Sequence, residues 1–222
     1  MEILSVTESI AQHLREQIIA NRLKSDKKLN EIELAYELQV SRAPLREAFC
    51  MLENENLLVR IPRKGTYVTE LSVERLREVY SARRVIEAYA IDYFRSKKVR
   101  QFPKIYESMN NLNKLSIPSP DNIKEIIFYL KTLTDFHLRL IEHTNNEWII
   151  KFYRAIASTL ARYTFFCIKG KELTAIAAND HKQILEFLTS GSYEVAKKRL
   201  LAHIDQALGN VEKYVKEIET RK

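Results

Sequence analysis

The sequence predicts a mainly α-helical chain in two parts. Three short helices and a β-hairpin are expected over residues 1–70, and an all-α bundle of six helices over 71–222. Three observations lead there. Only 4 Gly and 5 Pro interrupt 222 residues, too few backbone breakers for a turn-rich sandwich or barrel. The length exceeds one average domain and suits two modest ones. Apolar residues alternate as in strands only near 57–68, and recur at three and four nearly everywhere else.

The elements follow in order. Ser5 with Glu8 three residues on predicts a capped helix whose face carries Ile10, Ala11, Leu14 and Ile18. Glu31 to Leu38 gives a short second helix, and Gln39-Val40-Ser41 a break. Ser41 suits an N-cap and Pro44 the first turn of a third helix running through Leu45, Phe49, Leu52 and Glu53. Two β-rich runs, Leu57–Ile61 and Thr66–Val68, flank Pro62-Arg63-Lys64-Gly65 and read as a hairpin. Six helices then fall near 72–97, 99–114, 120–144, 146–168, 171–189 and 191–220. Breaks are expected at Pro103, Pro118/Pro120, Thr144-Asn145-Asn146, Gly170 and Gly191. The domain boundary is expected near 69–73, where strand periodicity gives way to helical.

Hydrophobic residues at 45% and charged residues at 29% are ordinary globular usage. No apolar run reaches the roughly 18 residues of a membrane span, and the N-terminus lacks a secretory pattern. A cytosolic protein, with no membrane partner, is expected. Cys50 and Cys167 have no CxxC spacing and read as small buried hydrophobes in a reducing compartment. The net charge of +7 is uneven: residues 1–70 carry −1 and the remainder +8. Bulk basicity therefore does not argue for nucleic acid.

The local pattern does. Three helices and a hairpin in about 65 residues form the winged helix-turn-helix outline. Arg42 and Arg46, four apart, leave one face of the third helix near its N-terminus, where such a helix meets the major groove of double-stranded DNA. The planar guanidinium fork can pair with guanine or clamp a phosphate. Arg63-Lys64-Gly65 places cations on a tight turn suited to a minor groove or a phosphate. The plainer alternative is a set of solvated surface charges.

Residues 5–70 resemble the GntR family of regulators, through Val40-Ser41-Arg42-Ala43-Pro44-Leu45-Arg46-Glu47-Ala48 followed by Leu52-Glu53, Leu57 and Arg63-Lys64-Gly65-Thr66-Tyr67-Val68. The resemblance implies DNA contacts from Ser41, Arg42, Pro44 and Arg46, and a wing at Arg63, Lys64 and Gly65. Asn21 stands where a Gly commonly ends the first helix, Ser25-Asp26 replace a usual Pro-Gly, and Ile32 occupies a position where some relatives carry a DNA-contacting Arg. Asn tolerates a left-handed cap and Ser-Asp suits a turn.

Residues 72–222 resemble the FadR subfamily's FCD-type effector domain in its six-helix, VanR-like form. The match rests on Tyr80–Glu87, Phe136-His137-Leu138-Arg139-Leu140, and His181-Lys182-Gln183-Ile184-Leu185 with His203 following 22 residues later. In many such proteins an Asp and three His hold a divalent metal that helps bind a carboxylate effector. By helical phase, His137 lies in line with Ile127, Leu130, Thr134 and Ile141, His181 heads Ile184, Leu185 and Leu188, and His203 borders Leu200, Ile204, Ala207 and Val211. Three core-facing imidazoles could take zinc or nickel, or could be hydrogen-bonded core residues. Leu133 stands where relatives place the Asp, and Asp135 lies about 200° around the helix from His137. Arg83, on the stripe of Val79, Ile86 and Ala90, meets either Glu87 or an anionic effector.

The expectation is a non-enzymatic, homodimeric transcriptional regulator whose operator affinity responds to a small carboxylate, coupled through the linker at 69–73. The alternatives are a helical metalloenzyme, for which no HExxH or paired carboxylates are evident, and an effector-independent nucleic-acid-binding protein.

Overall fold

The computed structural model describes residues 4–116, 118–119, 122–166 and 171–220, with side chains throughout except at 171–175 and 218. Met1 to Ile3, the expected break at Pro120, and Cys167 and Gly170 lie outside the described residues.

The first half contains α1 (Val6–Ile19), β1 (Lys28–Leu29), α2 (Glu31–Glu37), α3 (Arg42–Asn54), β2 (Leu58–Ile61) and β3 (Gly65–Val68). Ser5 caps α1 as a reciprocal pair: its hydroxyl accepts from the Glu8 amide at 3.2 Å, and its own amide donates to Glu8 Oε2 at 2.7 Å. Ser41 occupies the N-cap of α3, but its side chain makes no capping hydrogen bond, contrary to the role its type suggests. Asn21 (φ 54°) and Asp26 (φ 62°) both take the left-handed conformation. Leu14, Ile18, Leu45, Phe49, Leu52 and Leu57 close the small core. Cys50 is exposed rather than buried. It follows Arg46 by four residues, one helical turn, and so shares that residue's solvent side.

The hairpin has a third strand that periodicity did not reveal. β1 pairs antiparallel with β3, giving the order β1-β3-β2. Two residues are too short to show a period of two.

The second half contains α4 (Val73–Lys97), α5 (Pro103–Asn113), α6 (Ile123–Glu142), α7 (Glu147–Phe165), α8 (Lys171–Ser190) and α9 (Tyr193–Thr220). α5 starts at Pro103 rather than 99, because Lys98 turns left-handed (φ 52°) to end α4 and Pro103 takes the first helical position. α4 packs along α9, α7 and α6, and α8 lies against α9. Their shared core holds Tyr80, Phe94, Phe136, Leu140, Ile184 and Leu200.

The halves meet on α7. Ile19 and Ala20 from the end of α1 join an apolar cluster with Leu130, Leu133 and Phe165. Arg162, almost fully buried, donates Nη1 to the Thr69 carbonyl at 2.7 Å and to the Thr69 hydroxyl at 3.0 Å, and Nη2 to Ser25 Oγ at 3.1 Å. Burial pushes its guanidinium down to about 10. Tyr163 brackets Ser72, accepting from its amide at 3.3 Å and donating to its carbonyl at 3.0 Å. Arg162→Met should therefore leave the Thr69 carbonyl unpaired, costing about 1–3 kcal/mol. Chemical denaturation should show a lower midpoint, and a nonspecific protease faster cleavage at 69–72; unchanged values in both would remove Arg162 from the joint.

Candidate functional site

The candidate DNA-reading residues form one exposed face at the start of α3. Ser41, Arg42 and Arg46 are exposed and Pro44 is half-buried in the first turn, while Leu45, Phe49 and Leu52 anchor the opposite side. Both arginines turn onto Glu31, the first residue of α2. Arg46 Nε donates to Glu31 Oε2 at 2.7 Å, and Arg42 Nη2 lies 3.6 Å from the same oxygen. The Arg46 hydrogen bond, aided by both positive charges, holds the Glu31 carboxyl below its ordinary range. Glu31 escaped the reading of the sequence, because its partners lie on another helix and no spacing within α3 points to it.

Arg63 and Lys64 stand exposed on the loop that closes the Ile61–Gly65 strand pair. Gly65 has φ +114°, and a Cβ there would come within 3.0 Å of Lys28 Cε, so a side chain would be both strained and crowded. Lys28, exposed on β1, thus lies across the wing as a further cation beside the predicted three residues.

In the helical half Arg83 and Glu87 from α4, His137 from α6, His181 from α8 and His203 from α9 are all buried together. Glu87, without solvent contact, accepts from Arg83 Nε at 2.7 Å and from His137 Nδ1 at 2.8 Å. Asp180 backs His203 in the same way, Oδ2 to Nδ1 at 3.1 Å, and is itself paired with Arg199. A carboxylate only accepts, so both rings carry hydrogen on Nδ1 and turn an Nε2 lone pair inward. His181 Nε2 lies 3.0 Å from His137 Nε2 and 3.3 Å from His203 Nε2. Its ring stacks on Phe136 at 4.1 Å and 6°, and its Nδ1 is buried without a partner. Arg83 Nη2 sits 2.7 Å from His137 Nε2.

The electrostatics favour the neutral form of His137 and His181. Burial and then the Arg83 charge drive His137 down to about 4, against the upward pull of Glu87. Burial and the two neighbouring rings hold His181 well below its ordinary value. Glu87 stays ionised: burial would raise its pKa, but Arg83 and His137 more than reverse this. Neutral imidazoles are the form that binds a metal. His181 Nε2 stands 3.0 and 3.3 Å from the other two, close to the ligand spacing on a tetrahedral ion with bonds of about 2.0–2.1 Å, and one ligand atom from each of the three residues lies within 4.8 Å of the others. The three histidines could therefore hold a metal ion. Leu133 is buried in apolar contact, and Asp135 accepts from Arg139 Nε at 3.2 Å and lies outside the histidine cluster, so neither residue supplies a fourth ligand.

Arg83 and His137 also line a cavity of about 680 Å³ that opens between α6 and α7 and reaches α1 and α3. Ile127 and Thr134, in line with His137 by phase, face this space and are half-buried. Among the described residues no helix is long and apolar enough to cross a membrane.

Comparison with known proteins agrees with both halves. Residues 6–68 match the family of bacterial regulatory proteins described as gntR, and residues 78–206 match the FCD domain. The chain is 28% identical over 201 residues to an uncharacterized HTH-type transcriptional regulator, YdhC, of Bacillus subtilis, covering 86% of this chain and 84% of the relative. It is 27% identical over 209 residues to the Nta operon transcriptional regulator of Aminobacter aminovorans, covering 91% and 95%. A crystal structure of a GntR transcriptional regulator from Rhodococcus sp. RHA1 superposes with a TM-score of 0.74 at 21% identity, over 94% of this chain and 98% of that one. With a DNA-binding module of one family and an effector module of its subfamily in a single chain, the protein belongs to the GntR family of transcriptional regulators, in its FCD-containing branch, and is not an enzyme.

Proposed function

We propose that residues 1–70 read an operator and that residues 71–222 bind a small organic acid with the help of a divalent metal and join two copies into a homodimer in the cytoplasm. The observation that carries the metal reading is the meeting of three Nε2 atoms in the core, two of them backed by a carboxylate on Nδ1. His137, His181 and His203 are the metal ligands; borderline imidazole nitrogens suit zinc or nickel. The metal would supply Lewis acidity toward an anionic oxygen, and the effector's carboxylate completes the ligand set that Leu133 leaves short. Arg83 holds that carboxylate. Its Nη2, now 2.7 Å from His137 Nε2, would be free to meet that carboxylate if the His137 lone pair held a metal. Its Nε remains with Glu87, so the fork stays aimed.

At the other end, Arg42 and Arg46 read base edges, Ser41 and Pro44 set the entry of α3 into the groove, and Arg63, Lys64 and Gly65 form the wing on the backbone. One such helix covers too few base pairs for genomic specificity, which supports a homodimer on a pseudo-palindrome.

Four outcomes are expected. His181→Ala and His203→Ala should each strip metal from protein purified without chelator, measured by elemental analysis; unchanged metal content makes these core residues only. Arg42→Ala or Arg46→Ala should cost about 1–3 kcal/mol of operator affinity and flatten sequence preference, whereas Lys64→Ala should weaken all sequences alike. A monomer bound at full affinity to an asymmetric site would sink the dimer. Metal-free protein should lose stability on acidification. Folded His137 titrates near 4 against an ordinary 6.5, so the unfolded chain takes up protons first and stability falls between about pH 6.5 and 4, then levels. A denaturation midpoint constant across that window contradicts the buried neutral ring.

A further inference from the structure

The cavity over Arg83 and His137 is not walled by the helical bundle alone. Its floor is polar, with Arg83, His137 and Tyr153; its middle, between α6 and α7, is lined by Leu130, Leu160 and Ala157. Its far end belongs to the winged half, where Arg15 of α1 and Glu55 after α3 face it. At about 680 Å³ it is the size of a small-molecule site.

That far end is also where α7 grips the DNA-reading helix. Glu55 is the C-cap of α3. Its carboxylate accepts from Arg15 Nε at 2.7 Å and Nη2 at 2.5 Å, and from the Ser158 hydroxyl of α7 at 2.6 Å. Its carbonyl accepts from Thr159 Oγ1 at 3.2 Å. Nothing else in the cavity lining ties the recognition helix to the sensor by hydrogen bonds among the described residues.

We propose that the cavity takes an amphipathic carboxylate. Its acid group lies at Arg83 and the histidine centre, its apolar body lies between α6 and α7, and its tail meets the Arg15–Glu55–Ser158 contact. The ligand then loosens the winged half by touching it directly, rather than through the linker alone. This rests on the reading of Arg83 and His137 as the acid site. The wall chemistry selects the class: a methylene or aryl body gains by leaving water against Leu130, Leu160 and Ala157. Of the cations that also line the cavity, Arg15 is engaged by Glu55, Arg154 by Glu142 and Lys151 by the Trp148 ring, so that beyond Lys131 a second carboxylate meets little free charge. The end contact selects the length. A tail that reaches Glu55 competes for the space in which Ser158 donates, so the bound ligand and the intact grip are alternatives. A ligand favours the undocked state only through such a difference in contact.

The test is calorimetric titration of zinc-loaded full-length protein with butyrate, hexanoate, octanoate and citrate, paired with hydrogen exchange of the complexes. Affinity should rise about fourfold per added methylene while the chain still lies in the cavity. Citrate should bind more weakly than octanoate. Ala157→Leu should remove the gain from length but keep butyrate binding and zinc content; Ala161→Leu, one turn on and also lining the cavity, serves if the first variant does not fold. Octanoate should speed exchange at residues 51–57, and butyrate should not. Butyrate bound with no gain for octanoate, or a length gain that survives both substitutions, overturns the cavity assignment and leaves the acid site standing. A length gain with unchanged exchange at 51–57 overturns the direct contact. Zinc-loaded protein that binds none of the four acids overturns the acid site itself.

Discussion

A carboxylate sealed from water must be matched by charge and hydrogen bonds inside the protein, and Glu87 imposes that requirement on the whole helical half. Arg83, one turn earlier on α4, supplies the charge, and His137 supplies a second donor from α6. Satisfying one group thus ties two helices together, pins a guanidinium in the interior and assigns the His137 proton to Nδ1. The inward Nε2 follows from that assignment. Phe136, adjacent on α6, then sets the plane of the His181 ring by stacking. The histidine centre is in this sense built outward from one buried negative charge, with Asp180 repeating the device behind His203.

The second constraint is where α7 runs. Tyr153 stands beside Glu87, its phenol pushed up first by burial and then by that charge. Ser158, Thr159, Arg162 and Tyr163 follow within ten residues, about 15 Å along a helix, and hold Glu55, Thr69, Ser25 and Ser72. The segment joining the halves is therefore held at both ends of its short path, at Thr69 and Ser72, and is not a free tether. Movement at the floor of the cavity has a rigid element to act on.

Much of this was legible in the residues because helical periodicity reports burial on a single helix. The core-facing phases of His137, His181 and His203 follow from steps of about 100°, while Glu87 was one of two partners that the pattern left open for Arg83. The left-handed cap at Asn21 and a turn at Ser25-Asp26 followed from residue chemistry. What escaped depends on partners set by tertiary packing. Glu31 meets arginines on the next helix, Asp180 reaches a histidine on α9, and Lys28–Leu29 is too short for any pattern. Cys50 shows the opposite error, an apolar-looking residue judged by type when its place one turn after Arg46 put it outside.

The pairing of Arg42 and Arg46 with Glu31 has a kinetic side. A positively charged reading face would be retained by any stretch of duplex through its phosphates. Here the cations are already met by a carboxylate, in a half of the chain whose net charge is −1. Random DNA must compete with that internal anion for each guanidinium and gains little from doing so, whereas a cognate guanine offers the planar pair of acceptors that repays the exchange. If Arg42 and Arg46 read bases as proposed, such a face would leave wrong sequences quickly, and the search for the right one would shorten accordingly.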